Sequence, residues 1–376
     1  MSMTMRLTAT LVSGVLCALV PLSTAISAQP AQTPGWSAAA TGPFAGSLAG
    51  SLAAQAPSGL HVAGLHVVSV ADAAATSADP ADPADPKFWL QRMVDASHTV
   101  SFTGDIVYGQ GTELNAHRIV RVQQDDTPHE RLHSLNGPVR EILREDRKVT
   151  RILGDARLVV VDQGDPRHRL TDLTPQQIRQ LESWYRMTVV GPDRIAQRPA
   201  AKLHLLPKDN SRYGYMLWID RETGLLLRSQ MRDQADIILE QFMYISIDYN
   251  SLPDDAMEPE IEHHDFHHHT MGPAAEQEGH GIWDATDLPP GFRLLDEGWR
   301  HTTNGTEPVR HLLFGDGLAS VSVYISDDEG KPFHGRSQQG SMSVAGKIKE
   351  GYQLTVVGDV PSQTVMRVLN GLEHRP

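Results

Sequence analysis

From Val100 to Asp248 the chain runs through about ten short stretches in which apolar residues recur at every second position, and this alternation restricts the fold more than any other feature. A period of two sends successive side chains to opposite faces of a pleated strand, so each stretch offers one apolar face to a neighbour. In "TVSFTGDIVYG" that face carries Val100, Phe102 and Ile106. Further strands fit 117–122, 129–135, 139–143, 149–153, 158–162, 201–206, 213–220, 225–232 and 237–248. The turns "DRETG" and "RDQAD" join the last three as an antiparallel meander. Helices flank and interrupt this pattern. Asp85 caps the first and Pro86 opens it, with Trp89, Leu90, Met93 and Val94 on one face and an end near Ser97. In "TPQQIRQLESWY", Thr174 caps the second, and Ile178, Leu181 and Trp184 share a face. The expected architecture over 85–251 is one strongly curved antiparallel sheet with helices packed on its concave side.

The alternation stops at "SLPDDAMEPEIEHHDFHHHTMGPAAEQEGHG". Prolines, charges and the lack of a sustained period make 252–281 a linker by composition. Beyond it, strands fit 309–314, 319–325, 341–348 and 352–357, and a helix fits 362–372. These define a smaller C-terminal α+β domain over 282–376, so the whole chain is of the α+β class.

The N-terminus has the form of an export signal. Arg6 precedes an apolar run from Leu11 to Leu22, too short to span a bilayer, and "STAISA" offers cleavage after Ala25 or Ala28. Residues 29–84, rich in Ala, Gly, Ser and Pro, are expected to form a flexible tail. The single cysteine, Cys17, lies inside the apolar run, so an exported chain carries neither a disulfide framework nor thiol chemistry. The periplasm fits these features best. A formal charge of −13 argues against nucleic acid as a partner.

Motifs for catalysis are missing: no G-x-S-x-G elbow, H-E-x-x-H helix, Walker loop or dinucleotide fingerprint occurs. The reading is a binding protein with no catalytic residue, cofactor or resident metal. His263, His264, His267, His268 and His269 are of the type that binds zinc, nickel or copper, or that titrates near ~6.5. Without a rigid frame to hold them, the favoured reading is a solvated connector.

Seven stretches in register carry a family resemblance: "LNGPVREILR", "GPDRIAQR", "RYGYMLWIDRETGLLLRSQMRD", "ILEQFMYISI", "LPPGF", "HLLFGDGLASVSVYI" and "VVGDVPSQTV". From about Asp85 to Leu372 the chain resembles the RseB/MucB family, periplasmic regulators of the sigma-E envelope-stress response. It departs from the family in its long 29–83 region, its histidine-rich linker, and the lack of an aromatic residue in "VTRILG".

The resemblance implies a large domain like the lipoprotein carriers LolA and LolB, a half-open barrel with helices over its mouth. It implies as partner the periplasmic domain of a membrane-spanning anti-sigma factor, shielded from site-1 proteolysis until lipid or lipopolysaccharide binds. A homo-oligomer stays open as a state. By alternation, Val100, Phe102, Ile106, Leu203, Leu205, Trp218 and Phe242 line either a lipid cavity or an ordinary closed core. Arg140, Arg144, Arg194, Arg198 and Arg212 either form a basic rim for acidic head groups or pair on the sheet surface. Asp316, Gly317 and Leu318 form mainly a turn, with an adjoining groove as a peptide-binding face. The linker is expected to act as a hinge between the domains. Rival readings are a lipid or lipoprotein carrier without regulatory role, and a hydrolase with a dispersed site.

Overall fold

A computed structural model of the chain describes residues 84–124, 127–163, 170–253, 255–274, 282–301, 308–327 and 333–375. The export signal and nearly all of the tail lie outside the described residues.

Helix α1 (Pro86–Thr99) starts where the capping chemistry puts it, with the Asp85 carboxylate accepting from the Lys87 backbone N–H at 3.0 Å. Eleven strands of the large domain follow, in chain order: β1 (Phe102–Gln110), β2 (Glu113–Gln124), β3 (Thr127–Ser134), β4 (Arg140–Glu145), β5 (Lys148–Leu153), β6 (Leu158–Gln163), β7 (Tyr185–Ile195), β8 (Arg198–Pro207), β9 (Gly214–Asp220), β10 (Leu226–Arg232) and β11 (Ile238–Asp248). Helix α2 (Pro175–Trp184) separates β6 from β7 and opens with a capping box between Thr174 and Gln177.

The strands pair antiparallel in the spatial order β7-β8-β9-β10-β11-β1-β2-β3-β4-β5-β6. Their concave face buries Phe102, Ile106, Ile119, Leu132, Ile142, Leu203, Leu205 and Phe242 against Trp89, Leu90 and Met93 of α1 and Ile178 and Leu181 of α2. The strongly curved sheet with packed helices is therefore present as expected.

Strand β7 was not legible. "YRMTVVGPDRI" contains Gly191-Pro192, which reads as a break; the structure absorbs it with a register shift between Val189 and Gly191. Among the described residues the strand pairs with β8 alone, so it is an edge, where a proline need not donate to a ladder.

The histidine-rich stretch also differs from expectation, because β12 (His267–Ala274) forms within it. Its first half, His267 to Met271, runs parallel to β6, and its second half, Gly272 to Ala274, runs antiparallel to β14 (Arg293–His301). One strand thus belongs to both sheets. At the crossing, Gly272 has φ +147°, and a Cβ there would come 2.6 Å from the Gln163 carbonyl oxygen, so the junction requires glycine.

In the small domain β13 (Ile282–Ala285) precedes β14, followed by β15 (Val309–Gly315), β16 (Ser320–Asp327), β17 (Gly335–Gln339), β18 (Met342–Lys349) and β19 (Tyr352–Gly358). Helix α3 (Ser362–Asn370) and β20 (Leu372–Arg375) end the described chain. The sheet order is β14-β15-β16-β19-β18-β17, with β13 and β20 paired separately. Val321, Val323, Val356, Val365 and Val368 form its core with Phe314 and Trp283. The expected strands at β15, β16, β18 and β19 and the helix α3 are all present. Strand β14 escaped notice because Trp299 is the one buried residue on it, leaving no alternation to read.

Candidate functional site

Three features of the fold bear on function: the concave core, the seam between the domains, and the histidine-bearing segment. Phe102, Ile106, Leu203, Leu205 and Phe242 share the concave face, and Val100 packs against them from the end of α1. In this structure that face is filled by side chains of α1 and α2, the closed-core alternative.

Trp218 is buried in the same core cluster, but its strand register and ring partners set it apart. It lies opposite Lys202 and Arg228 in the register, while its neighbour Leu217 lies opposite Leu203 on the concave face. Both cations sit over its ring, Arg228 at 4.5 Å and Lys202 at 5.2 Å, and its Nε1 donates to Asp193 at 2.7 Å. Burial on both faces of β9 hid which side Trp218 takes.

The five arginines expected at one rim are dispersed. Arg144 is buried near Glu130, 3.9 Å away, and Glu130 also accepts from Arg121. Arg140 is half-buried on the same face, Arg194 is exposed, and Arg198 bonds Asp220 and, at 2.7 Å, Glu222. Arg212 is fully buried elsewhere. The strand register explains the scatter: Arg140 and Arg144 alternate with Glu141 on β4, whereas Arg212 belongs to a loop.

Beside Arg140, His117 is 3 % exposed. Burial, with lesser repulsion from Arg140 and His133, holds its imidazole down to about 4. The native state keeps it neutral, while the unfolded chain takes a proton below about 6.5. Stability is therefore expected to fall as pH drops from about 6.5 to about 4, by up to ~3 kcal/mol from this group. Urea titrations at pH 7 and pH 4.5 check this, since H117N should lessen the difference.

The seam centres on the loop after β8. Arg212 donates from Nη1 to Asp316, from Nη2 to Asp209 at 3.0 Å, and from Nη2 to the Pro290 carbonyl at 2.6 Å. The rings of Trp184, Tyr185 and Phe292 stand around the guanidinium at 5.4, 5.9 and 5.4 Å. Asp316 in turn accepts from the backbone N–H groups of Leu318 and Ala319, both at 2.8 Å. Burial pushes its carboxyl up, against the opposing pull of Arg212 and these two donors.

Leu318 enters the core of the large domain, and Gly317, at φ +105°, lies against Gln177 of α2. The turn expected to border a peptide groove is therefore buried as a latch between domains. Its Asp-Gly-Leu spelling was a usable signal for the turn, since a carboxylate can accept from backbone two residues on. Nothing in the sequence pointed to Arg212 as its partner. The same loop holds α3, with Thr364 donating to the Ser211 carbonyl at 2.9 Å and Gln363 donating to that of Asn210.

The segment before β12 is pinned across the outer face of β3 to β6. Glu141, fully buried, accepts from the backbone N–H of Glu260 at 2.9 Å and of Ile261 at 3.1 Å. Arg131 donates to the Glu258 carbonyl at 2.8 Å and pairs with Glu260 at 2.9 Å. Ile261 and Phe266 pack on Leu143, Ile152 and Val159. His264, His267, His268 and His269 remain exposed, and His263 sits at 2.8 Å from the Ile261 carbonyl. Among the described residues no three His, Cys, Asp or Glu side chains form a metal-holding group. Of the expected connector 252–281, the described residues 255–274 form a pinned strap containing a strand, with histidines exposed as in a solvated connector, and the main-chain pairing that holds it leaves no apolar period.

These features define a two-domain, sheet-dominated α+β protein whose domains share a strand and a buried ionic latch. The chain belongs to the MucB/RseB family: residues 85–267 match its N-terminal domain and 277–373 its C-terminal domain. It is 35% identical over 308 residues to the sigma factor AlgU regulatory protein MucB of Pseudomonas aeruginosa, covering 77% of this chain and 90% of that one. Similarity to the sigma-E factor regulatory protein RseB of Escherichia coli K12 is 25% over 287 residues, covering 76% and 89%. Among solved structures, the Pseudomonas aeruginosa MucA/MucB complex aligns at 32% identity and a TM-score of 0.61, over 78% of this chain and 100% of that one. A crystal structure of MucB aligns at 29% identity and a TM-score of 0.57, over 77% and 98%.

Proposed function

We propose that this protein is a periplasmic negative regulator of a sigma-E-type envelope-stress response. It binds the periplasmic domain of a membrane-spanning anti-sigma factor and shields that domain from site-1 proteolysis, and lipid or lipopolysaccharide binding is linked to release. The observation that carries this reading is likeness across both domains, together with the matched structure of MucB in complex with the periplasmic part of MucA. Among the described residues no helix is long and apolar enough to cross a membrane.

The lipid step has a physical requirement. Since α1 and α2 fill the concave face, an acyl chain lodged against Phe102, Ile106, Leu203, Leu205 and Phe242 must displace part of that packing. A lipid then releases the partner only by preferring the displaced arrangement, and a tenfold loss of partner affinity corresponds to about 1.4 kcal/mol of such preference.

The experiment is reconstitution: the anti-sigma factor's periplasmic domain, a site-1 protease, and this chain with and without lipopolysaccharide. Protection that lipopolysaccharide reverses supports the reading. Lipid binding without any affinity for the anti-sigma domain would instead make this a carrier.

The histidines are expected to stand outside the mechanism. Replacing His263, His264, His267, His268 and His269 by serine should leave partner affinity unchanged at neutral pH, because the segment is held through Glu141 and backbone pairing. A loss in the variant, with chelator producing the same loss in the parent, would assign them a metal role.

A further inference from the structure

A second contact across the seam has a donor count that does not close without an extra proton. Ser341, fully buried at the tip between β17 and β18, lies with its hydroxyl oxygen 2.8 Å from a Glu240 carboxylate oxygen and 2.9 Å from Asp359 Oδ1. Glu240 belongs to β11 of the large domain, while Ser341 and Asp359 belong to the small one. A hydroxyl carries one hydrogen, and an ionised carboxylate can only accept. Both contacts are hydrogen bonds only if one carboxyl supplies a proton of its own.

The proton belongs on Asp359. That residue is 6 % exposed, and its Oδ2 is buried with no hydrogen-bond partner. Two ionised carboxylates here would face each other within about 6 Å across one serine oxygen, close enough for like charges to disfavour double ionisation. Burial, followed by repulsion from Glu240, pushes the Asp359 carboxyl well up, while the Ser341 bond pulls it down. Tyr213 and Tyr215 of the large domain feel the same charge, both hydroxyls being pushed up by burial and by Asp359. Asp233 adds to this at Tyr213, and Asp316 and Glu240 at Tyr215. On the large-domain side Gln110 lies opposite Glu240, and Gly340 sits so tightly on it that a Cβ would come 2.6 Å from its side chain.

We propose that Asp359, Ser341 and Glu240 form a proton-dependent clasp between the domains. Asp359 donates to Ser341 and Ser341 donates to Glu240, so the β17–β18 tip docks more tightly on the large domain as pH falls and less tightly as pH rises.

The sign follows from proton counts. With the clasp closed Asp359 holds its proton; with the tip undocked in water it titrates near ~3.9. Closure therefore takes up one proton at pH values above ~3.9 and below the raised value of the closed state, and within that interval the closed-to-open ratio falls by up to about tenfold for each pH unit.

Backbone amide exchange in the full chain between pH 5 and pH 8 tests this, after correction for intrinsic exchange rates. Protection at 338–343 is read relative to that of the β16 amides, so that global unfolding cancels. The expected result is a relative protection that declines as pH rises in the parent, by up to about tenfold per pH unit. It should be nearly independent of pH in D359N, whose amide donates to Ser341 without titrating. If D359N does not fold, E240Q serves: it removes the repulsion from Glu240 and leaves burial alone to hold the proton, so the decline should level off at a lower pH than in the parent. Parental protection that is flat across this range overturns the clasp, as does the parental slope surviving in folded D359N or a profile in E240Q identical to the parent's.

Discussion

Replacing Arg212 by alanine is expected to lower the free energy of unfolding by about 3–5 kcal/mol, the range for removing one partner of a buried ion pair. The substitution leaves the Asp316 carboxylate, 1 % exposed, without its counter-ion, and it strips Asp209 and the Pro290 carbonyl of donors. It also empties the space between the rings of Trp184, Tyr185 and Phe292. Urea unfolding reads the loss as a lower midpoint, and limited proteolysis should cut first in the small domain. Adding D316A to R212A should recover part of the loss, because the orphaned charge is then gone. A single variant within 1 kcal/mol of the parent would mean that the seam does not hold the domains.

Glu141→Ala comes next in size, at about 3 kcal/mol, since it leaves two backbone donors unsatisfied and a mostly buried Arg131 short of one acid. Its effect should be local before it is global. Amides of Glu260 and Ile261 should exchange much faster, and Ile261 and Phe266 should loosen from Leu143, Ile152 and Val159. Glu141→Gln keeps one carbonyl oxygen as acceptor and should lose less. Equal losses in the two variants would indicate that the charge on Arg131, rather than the two amides, governs the strap.

What the sequence showed and what it hid divide along physical lines. Strands with one buried face, such as β1 and β11, are visible because burial of alternate residues is itself a periodic signal. Both large-domain helices are visible because caps are local: Asp85-Pro86 and Thr174-Pro175 announce their own N-termini. The concave-face residues followed from the same alternation, but Trp218 did not. With Leu217, Trp218 and Ile219 all buried, β9 has no exposed positions by which to tell its two faces apart.

Interactions joining distant parts of the chain left no trace in spacing. Arg212 and Asp316 are 104 positions apart, and Glu141 meets the Glu260 backbone across 119. Each was legible as a residue type and neither as a pair. The same holds for β12, whose pairing with β6 and β14 is made by the backbone while its histidines face outward. A strand held in that way looks like a linker in any single sequence.

The regulatory role is tested most directly by an isothermal titration of this chain, freed of residues 1–84, with the periplasmic domain of its own organism's anti-sigma factor. Saturable binding of micromolar strength or tighter, about −8 kcal/mol or better, is the expected result. No binding, with both proteins shown to be folded, would contradict it.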